Sequence, residues 1–149
     1  MDKTVICYIE KDNKYLMLYR NKKQNDLNGG KWIGIGGHVE DEETYDQAIL
    51  REVKEETNLQ LKSFKKRGVI NFTYDDFKEI MVVYTSDEFE GELGNCDEGD
   101  LFWIEKDKIF SLNLWEGDKI FLDYLINDKE YFNLDLIYEK GKLKKVNRK

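Results

Sequence analysis

Between Gly37 and Leu59 the chain runs G-H-V-E-D-E-E-T-Y-D-Q-A-I-L-R-E-V-K-E-E-T-N-L, and this segment constrains the fold more than any other. Its informative positions are Gly37, Glu43 after five residues, and Arg51-Glu52-Val53 after seven more, followed by Glu55, Glu56, Asn58 and Leu59. Thr44 followed three residues later by Gln47 forms a capping-box pair, which starts a helix at Thr44 or Tyr45. Ala48, Ile49, Leu50 and Val53 offer that helix apolar contacts. Glu52, Glu55 and Glu56 stand at i, i+3 and i+4, so three carboxylates share one helix face. Like charges so close repel, and a solvated structural helix gains nothing from them. A hard divalent cation removes the conflict, because Mg²⁺ takes oxygen ligands in near-octahedral geometry at about 2.1 Å. Asn58 is suited to the left-handed residue that ends a helix. Gly37 closes the run Gly34-Ile35-Gly36-Gly37, which reads as a glycine-rich loop able to approach a metal or ligand closely.

The spacing resembles the Nudix box, the signature of enzymes that hydrolyse a nucleoside diphosphate linked to a further group. The one departure is Asn58, where the family carries Gly. The resemblance implies that Glu52, Glu55 and Glu56 bind metal together with the carbonyl of Gly37. It also implies that Arg51 holds the carboxylates in place and that Glu43 supports helix and loop. Mg²⁺, or Mn²⁺ in its place, is the implied cofactor.

The remaining sequence fits a single domain over residues 1–149, long enough to bury a core. β-rich runs at Thr4–Glu10 and Tyr15–Arg20 flank a turn at residues 11–14, predicting a hairpin. Residues 21–31 read as a polar loop, and Trp32–Gly36 as a short strand entering the box. Further strands are predicted at Arg67–Tyr74, Lys78–Ser86 and Asp100–Glu105, and a second amphipathic helix at Glu116–Asn127. Tyr131–Tyr138 and Lys142–Val146 close the chain as a hairpin turned at Lys140-Gly141. Helices on the faces of a mixed β-sheet make an α/β class protein, and the resemblance implies the α/β/α sandwich of the Nudix fold.

The net charge of −7 disfavours a nucleic-acid polymer as partner, since such binding needs a basic footprint. A small nucleotide remains compatible, because cations and a few local Lys or Arg can neutralise its phosphates. No apolar run approaches the ~20 residues of a membrane span, and the N-terminus does not read as a signal peptide. Cys7 and Cys96 read as free thiols, consistent with a cytoplasmic location. The oligomeric state is left open between monomer and homodimer.

Outside the box, the acidic loop Asn95–Asp100 is equivalent to one from which relatives send a glutamate to the metals or the attacking water. Glu98 is the residue assigned here, with Asp97 as competitor. The general base is one of Glu55, Glu56 and Glu98. Trp115-Glu116-Gly117-Asp118 resembles the Trp-x-x-Asp with which oxidised-purine triphosphatases of the family hold the base. An aromatic face can stack on a purine and a carboxyl can bond its edge. Those enzymes carry Asn where this chain has Ile33, which puts the recognition of an oxidised base in question. The stretch Lys31-Trp32-Ile33-Gly34 is nevertheless similar to a MutT-type subgroup of 8-oxo-dGTP diphosphatases. Arg20, Lys22 and Lys23 precede the polar loop within reach of a triphosphate, and the lone His38 is given no role. The implied reaction is hydrolysis of 8-oxo-dGTP or a related nucleoside triphosphate to the monophosphate and pyrophosphate. Other Nudix substrates (ADP-ribose, dinucleoside polyphosphates) and a non-catalytic nucleotide-sensing module are the alternatives.

Overall fold

The computed structural model describes residues 1–128 and 130–149. Its first element is the predicted hairpin, β1 (Asp2–Lys11) and β2 (Lys14–Tyr19). Asp12 and Asn13 between them take φ of 53° and 62°, the paired left-handed conformation of the two-residue turn whose twist matches the strands. β1 then becomes the centre of the sheet. It pairs parallel with β6 (Phe77–Glu90) and antiparallel with β4 (Ile35–His38). β6 continues to β5 (Gln60–Tyr74), β5 to β8 (Phe132–Glu139) in parallel, and β8 to the edge strand β9 (Lys142–Arg148). On the other flank β2 carries β3 (Trp32–Ile33) and β7 (Asp100–Glu105).

The side-chain period of two divides β1 between two cores. Val5, Cys7 and Ile9 face α1 (Tyr45–Thr57) and its Ala48, Ile49 and Val53. Ile6 and Tyr8 face the opposite way, onto Phe121 and Leu122 of α2 (Glu116–Asp123). With both faces covered, β1 reads as a continuous apolar run rather than an alternating one. This is the mixed-sheet α/β sandwich expected from the sequence.

Several boundaries differ from those read in the sequence. The Trp32–Gly36 strand is two strands broken at Gly34, and the glycine run is not a loop: residues 35–38 form β4. Gly36 must be glycine there, because a Cβ would overlap the Val5 backbone of β1. β5 and β6 form a hairpin longer than predicted, since register shifts between Leu61 and Gly68 break the period-two pattern. The second helix ends at Asp123 and passes into a π-helical turn, Tyr124–Asp128, so its apolar spacing outlasts its α-geometry. A 3₁₀ segment at Lys106–Ser111, unpredicted, buries Ile109.

Candidate functional site

The capping box forms as read. Thr44 Oγ1 accepts from Gln47 N at 3.1 Å, and Gln47 Oε1 accepts from Thr44 N at 2.9 Å. At the other end Asn58 takes φ 66°, and its N–H caps Lys54 O at 3.0 Å. The Asn58 amide also donates to Glu92 O at 3.1 Å, a tie to the following loop that glycine could not make.

Arg51 is the hub of the helix face. Its Nε and Nη2 clamp the two oxygens of Glu43 at 2.7 and 2.9 Å. Its Nη1 donates to Glu52 at 2.8 Å and Glu55 at 3.2 Å, and Nη2 reaches the carbonyl of His38 at 3.0 Å. The helix is thereby fastened to the end of β4. Gly37 lies directly against Glu52: a Cβ would stand 2.6 Å from Glu52 Oε2. The bare backbone is what lets strand and carboxylate meet.

The second layer is a pair of carboxyls. Glu56 is buried, accepts from Gly36 N at 3.1 Å, and is hydrogen-bonded to Glu98. Burial, then that bond and the charges of Glu98 and Glu52, push Glu56 far above the usual carboxylate range. Glu98 feels burial too. The bond from Glu56 and the cations Lys23 and Arg20 outweigh it and hold Glu98 low. The two carboxyls therefore titrate as a pair, with the proton favoured on Glu56. Glu52 is raised by burial against the opposing pull of Arg51.

The structure thus separates the predicted ligands. Glu52, Glu98 and Gly37 border one cavity, Glu56 is buried beside them, and Glu55 turns outward to Arg51 with its side chain 57% exposed. Among the described residues no three carboxyl, thiol or imidazole groups enclose a common ion position. Physically this follows from the bonds just described, since Arg51 and the shared proton take the place of positive charge. The donor set nonetheless fits a hard cation: all oxygen, one proton to displace, and a glycine backbone against a carboxylate.

Arg20 and Lys23 hold Glu98 at 3.0 and 2.9 Å rather than standing free, and Arg20 also bonds Asp26 at 2.7 Å. Lys22 bonds Cys96 O at 2.9 Å, tying down the same loop. Asp97 is exposed while Glu98 faces the cavity. His38 is exposed, with Nε2 3.3 Å from Asp2.

From this end a cavity of about 510 Å³ extends to Trp115 and Asp118 at the start of α2. Trp115 is fixed by its Nε1 bond to Asn28 at 2.8 Å and by Tyr74 and Tyr138 edge-on at 5.8 Å. Lys31 Nζ lies 5.0 Å from the Trp115 ring centre. Asp118 is enclosed, and burial raises it to about 7 despite the attraction of Lys31. Ile33 borders the same space. Tyr74 borders it too, and the sequence reading missed the further sheet residues Thr4, Phe72, Glu79 and Met81. Their alternation on β1, β5 and β6 was the available signal, but sharing a face across three strands is settled only by register.

A family model described as the NUDIX domain matches residues 2–125. An oxidized purine nucleoside triphosphate hydrolase of Danio rerio is 33% identical over 111 residues, covering 73% of this chain and 71% of that protein. An ADP-ribose pyrophosphatase of Methanocaldococcus jannaschii is 34% identical over 124 residues, covering 78% and 69% respectively. In fold, the chain superposes on a MutT protein from Bacillus halodurans with a TM-score of 0.90 at 21% identity, covering 99% of this chain and 97% of that one. With the box, the helix face and the domain match in agreement, the chain belongs to the Nudix hydrolase family.

Proposed function

We propose that this Nudix enzyme hydrolyses an oxidised purine nucleoside triphosphate such as 8-oxo-dGTP to the monophosphate and pyrophosphate, in a cytoplasmic role of cleansing the nucleotide pool. The observation that carries this reading is the single cavity linking the box carboxylates to Trp115 and Asp118. It offers a phosphate end and a base end in one space. The relative from Danio rerio bears that activity in its name.

Glu52, Glu56, Glu98 and the Gly37 carbonyl would hold Mg²⁺, or Mn²⁺, with Glu55 completing the set after release from Arg51. Bound there, such an ion supplies neutralisation of phosphate charge and a more acidic water. One of Glu55, Glu56 and Glu98 would take the proton of the attacking water, and Glu98 is the one of the three that borders the cavity. Arg20 and Lys23 keep Glu98 in place and add positive charge to the phosphate end. Arg51 and Glu43 orient the helix face. At the other end Trp115 would stack on the base and Asp118, whose affinity for a proton is raised by burial, would bond its edge. Ile33 gives that end an apolar wall with no hydrogen bond for an oxidised base.

A second reading, hydrolysis of ADP-ribose, is favoured by the 34% identity to the archaeal ADP-ribose pyrophosphatase. A substrate panel with Mg²⁺ decides between them: kcat/KM for 8-oxo-dGTP, dGTP, ADP-ribose and Ap4A. Preference for 8-oxo-dGTP over dGTP supports pool cleansing, equal rates for the two remove it, and dominance of ADP-ribose establishes the second reading.

A further inference from the structure

The base end contains a carboxylate that the reaction described above does not use. Glu79, on β6, points into the cavity from the sheet floor. Its Oε2 accepts a hydrogen bond from Thr4 Oγ1 at 2.9 Å, and its Oε1 accepts none among the described residues. Glu79 is half-buried, and burial raises its affinity for a proton. The chain charges acting on it are His38, attractive, and Asp2, repulsive. Desolvating a carboxylate costs free energy unless it is bonded. Thr4 satisfies only one side.

The position of Glu79 along the cavity narrows what it meets. Glu79 stands opposite Phe72 across β5 and β6, and Phe72 packs against Tyr74 and Tyr138, the rings that fix Trp115, so Glu79 adjoins the base end. Its hydrogen-bond partner Thr4 is paired with His38 across β1 and β4, one residue beyond the Val5–Gly37 pair. Glu79 therefore lies between the groups assigned to the base and the glycine strand assigned to the phosphates. In a nucleotide spanning that distance the sugar occupies this interval. A sugar hydroxyl is a donor matched to a free carboxylate oxygen, as in dinucleotide folds where an acidic side chain takes a ribose hydroxyl.

We propose that Glu79, oriented by Thr4, recognises a hydroxyl of the substrate's sugar and sets sugar specificity. This inference rests on the nucleoside triphosphate reading above. Thr4 is a positioning residue: its hydroxyl fixes Glu79 Oε2 and leaves Oε1 without a hydrogen-bond partner among the described residues.

The test compares wild type, Glu79→Gln and Thr4→Val on triphosphates of one purine base carrying ribose, 2′-deoxyribose or 3′-deoxyribose, with kcat/KM measured in Mg²⁺. Wild type should lose about tenfold or more when the recognised hydroxyl is removed, the size expected for a hydrogen bond to a charged group. Glu79→Gln should flatten that ratio by about tenfold with an unchanged thermal midpoint. Thr4→Val should flatten it partly. Identical sugar ratios in wild type and Glu79→Gln overturn the proposal. So does a variant that changes the guanine-to-adenine ratio and leaves the sugar ratios alone, which would make Glu79 a base contact. Wild type inert on every triphosphate overturns the functional reading and this inference with it, whereas active wild type with unaltered ratios removes the inference alone.

Discussion

Arg51 grips Glu43 through two parallel hydrogen bonds of 2.7 and 2.9 Å, and the same guanidinium reaches Glu52, Glu55 and the end of β4. One side chain thus ties the loop before α1 to the carboxylate face on it. Hydrogen bonds from Arg51 first, and then from the Glu40 N–H, hold Glu43 at about 2. A carboxyl whose folded pKa is depressed stabilises the fold above its unfolded value of 4.5, and loses that contribution as pH falls to about 2. The Tm gap between wild type and Glu43→Gln should be full at pH 6 and shrink toward pH 2. A gap independent of pH would show that Glu43 acts without its charge.

The box carboxylates differ in burial, and their substitutions should differ in kind. Glu55→Gln, at an exposed position, should leave Tm unchanged and reduce kcat by about a hundredfold or more. Glu56→Gln should do the same to kcat while slightly raising metal-free stability, because neutral amide replaces a buried acid. Near-normal kcat in both variants, alongside unchanged circular dichroism, would remove the metal-site assignment.

Metal binding must expel the proton shared by Glu56 and Glu98, so affinity should rise with pH. Adding Mg²⁺ at about a hundred times its Kd should stabilise the chain by about 2.7 kcal/mol, and EDTA should reverse it. The Mg²⁺-dependent rise in Tm should be larger at pH 8.5 than at pH 6. Isothermal calorimetry in buffers of different ionisation heat would count the proton released; a value of zero contradicts the shared-proton arrangement.

Asp118 gives the opposite pH signature to Glu43. Burial raises it to about 7 from 3.8, so the neutral form is favoured by folding. That advantage is complete below pH 3.8 and is lost as pH rises to about 7. Asp118→Asn should therefore gain stability relative to wild type across this window, by at most about 4 kcal/mol. The wild type should vary in kcat/KM between pH 6 and 8, and Asp118→Asn should lose that dependence. Parallel pH profiles for the two proteins would place Asp118 outside base recognition. Trp115→Ala should raise KM by tenfold or more with little change in kcat, and an unchanged KM would dismiss the stacking role.

Much of this protein was legible because its signals are local. The Thr44–Gln47 cap, the left-handed Asn58 and the i, i+3, i+4 carboxylates are set by helix geometry and by residues within one or two turns. The hairpin at Asp12-Asn13 is equally local. The boundaries that moved have non-local causes. β5 was underestimated because its bulges disturb the alternation that a sequence pattern relies on, and the glycine run became a strand because β1 passes beside it.

Sequence alone settles the box helix and its termini, the Asp12-Asn13 hairpin and the family, since periodicity, capping and turn chemistry need no distant partner. Which carboxylates meet is fixed by long-range packing. Glu56 finds Glu98, forty-two residues on, and Arg20 and Lys23 turn to Glu98 instead of standing free. Glu79 reaches the cavity solely through the parallel register of β1 and β6. Long-range pairing and burial set those charges, and neither is encoded within a single stretch of chain.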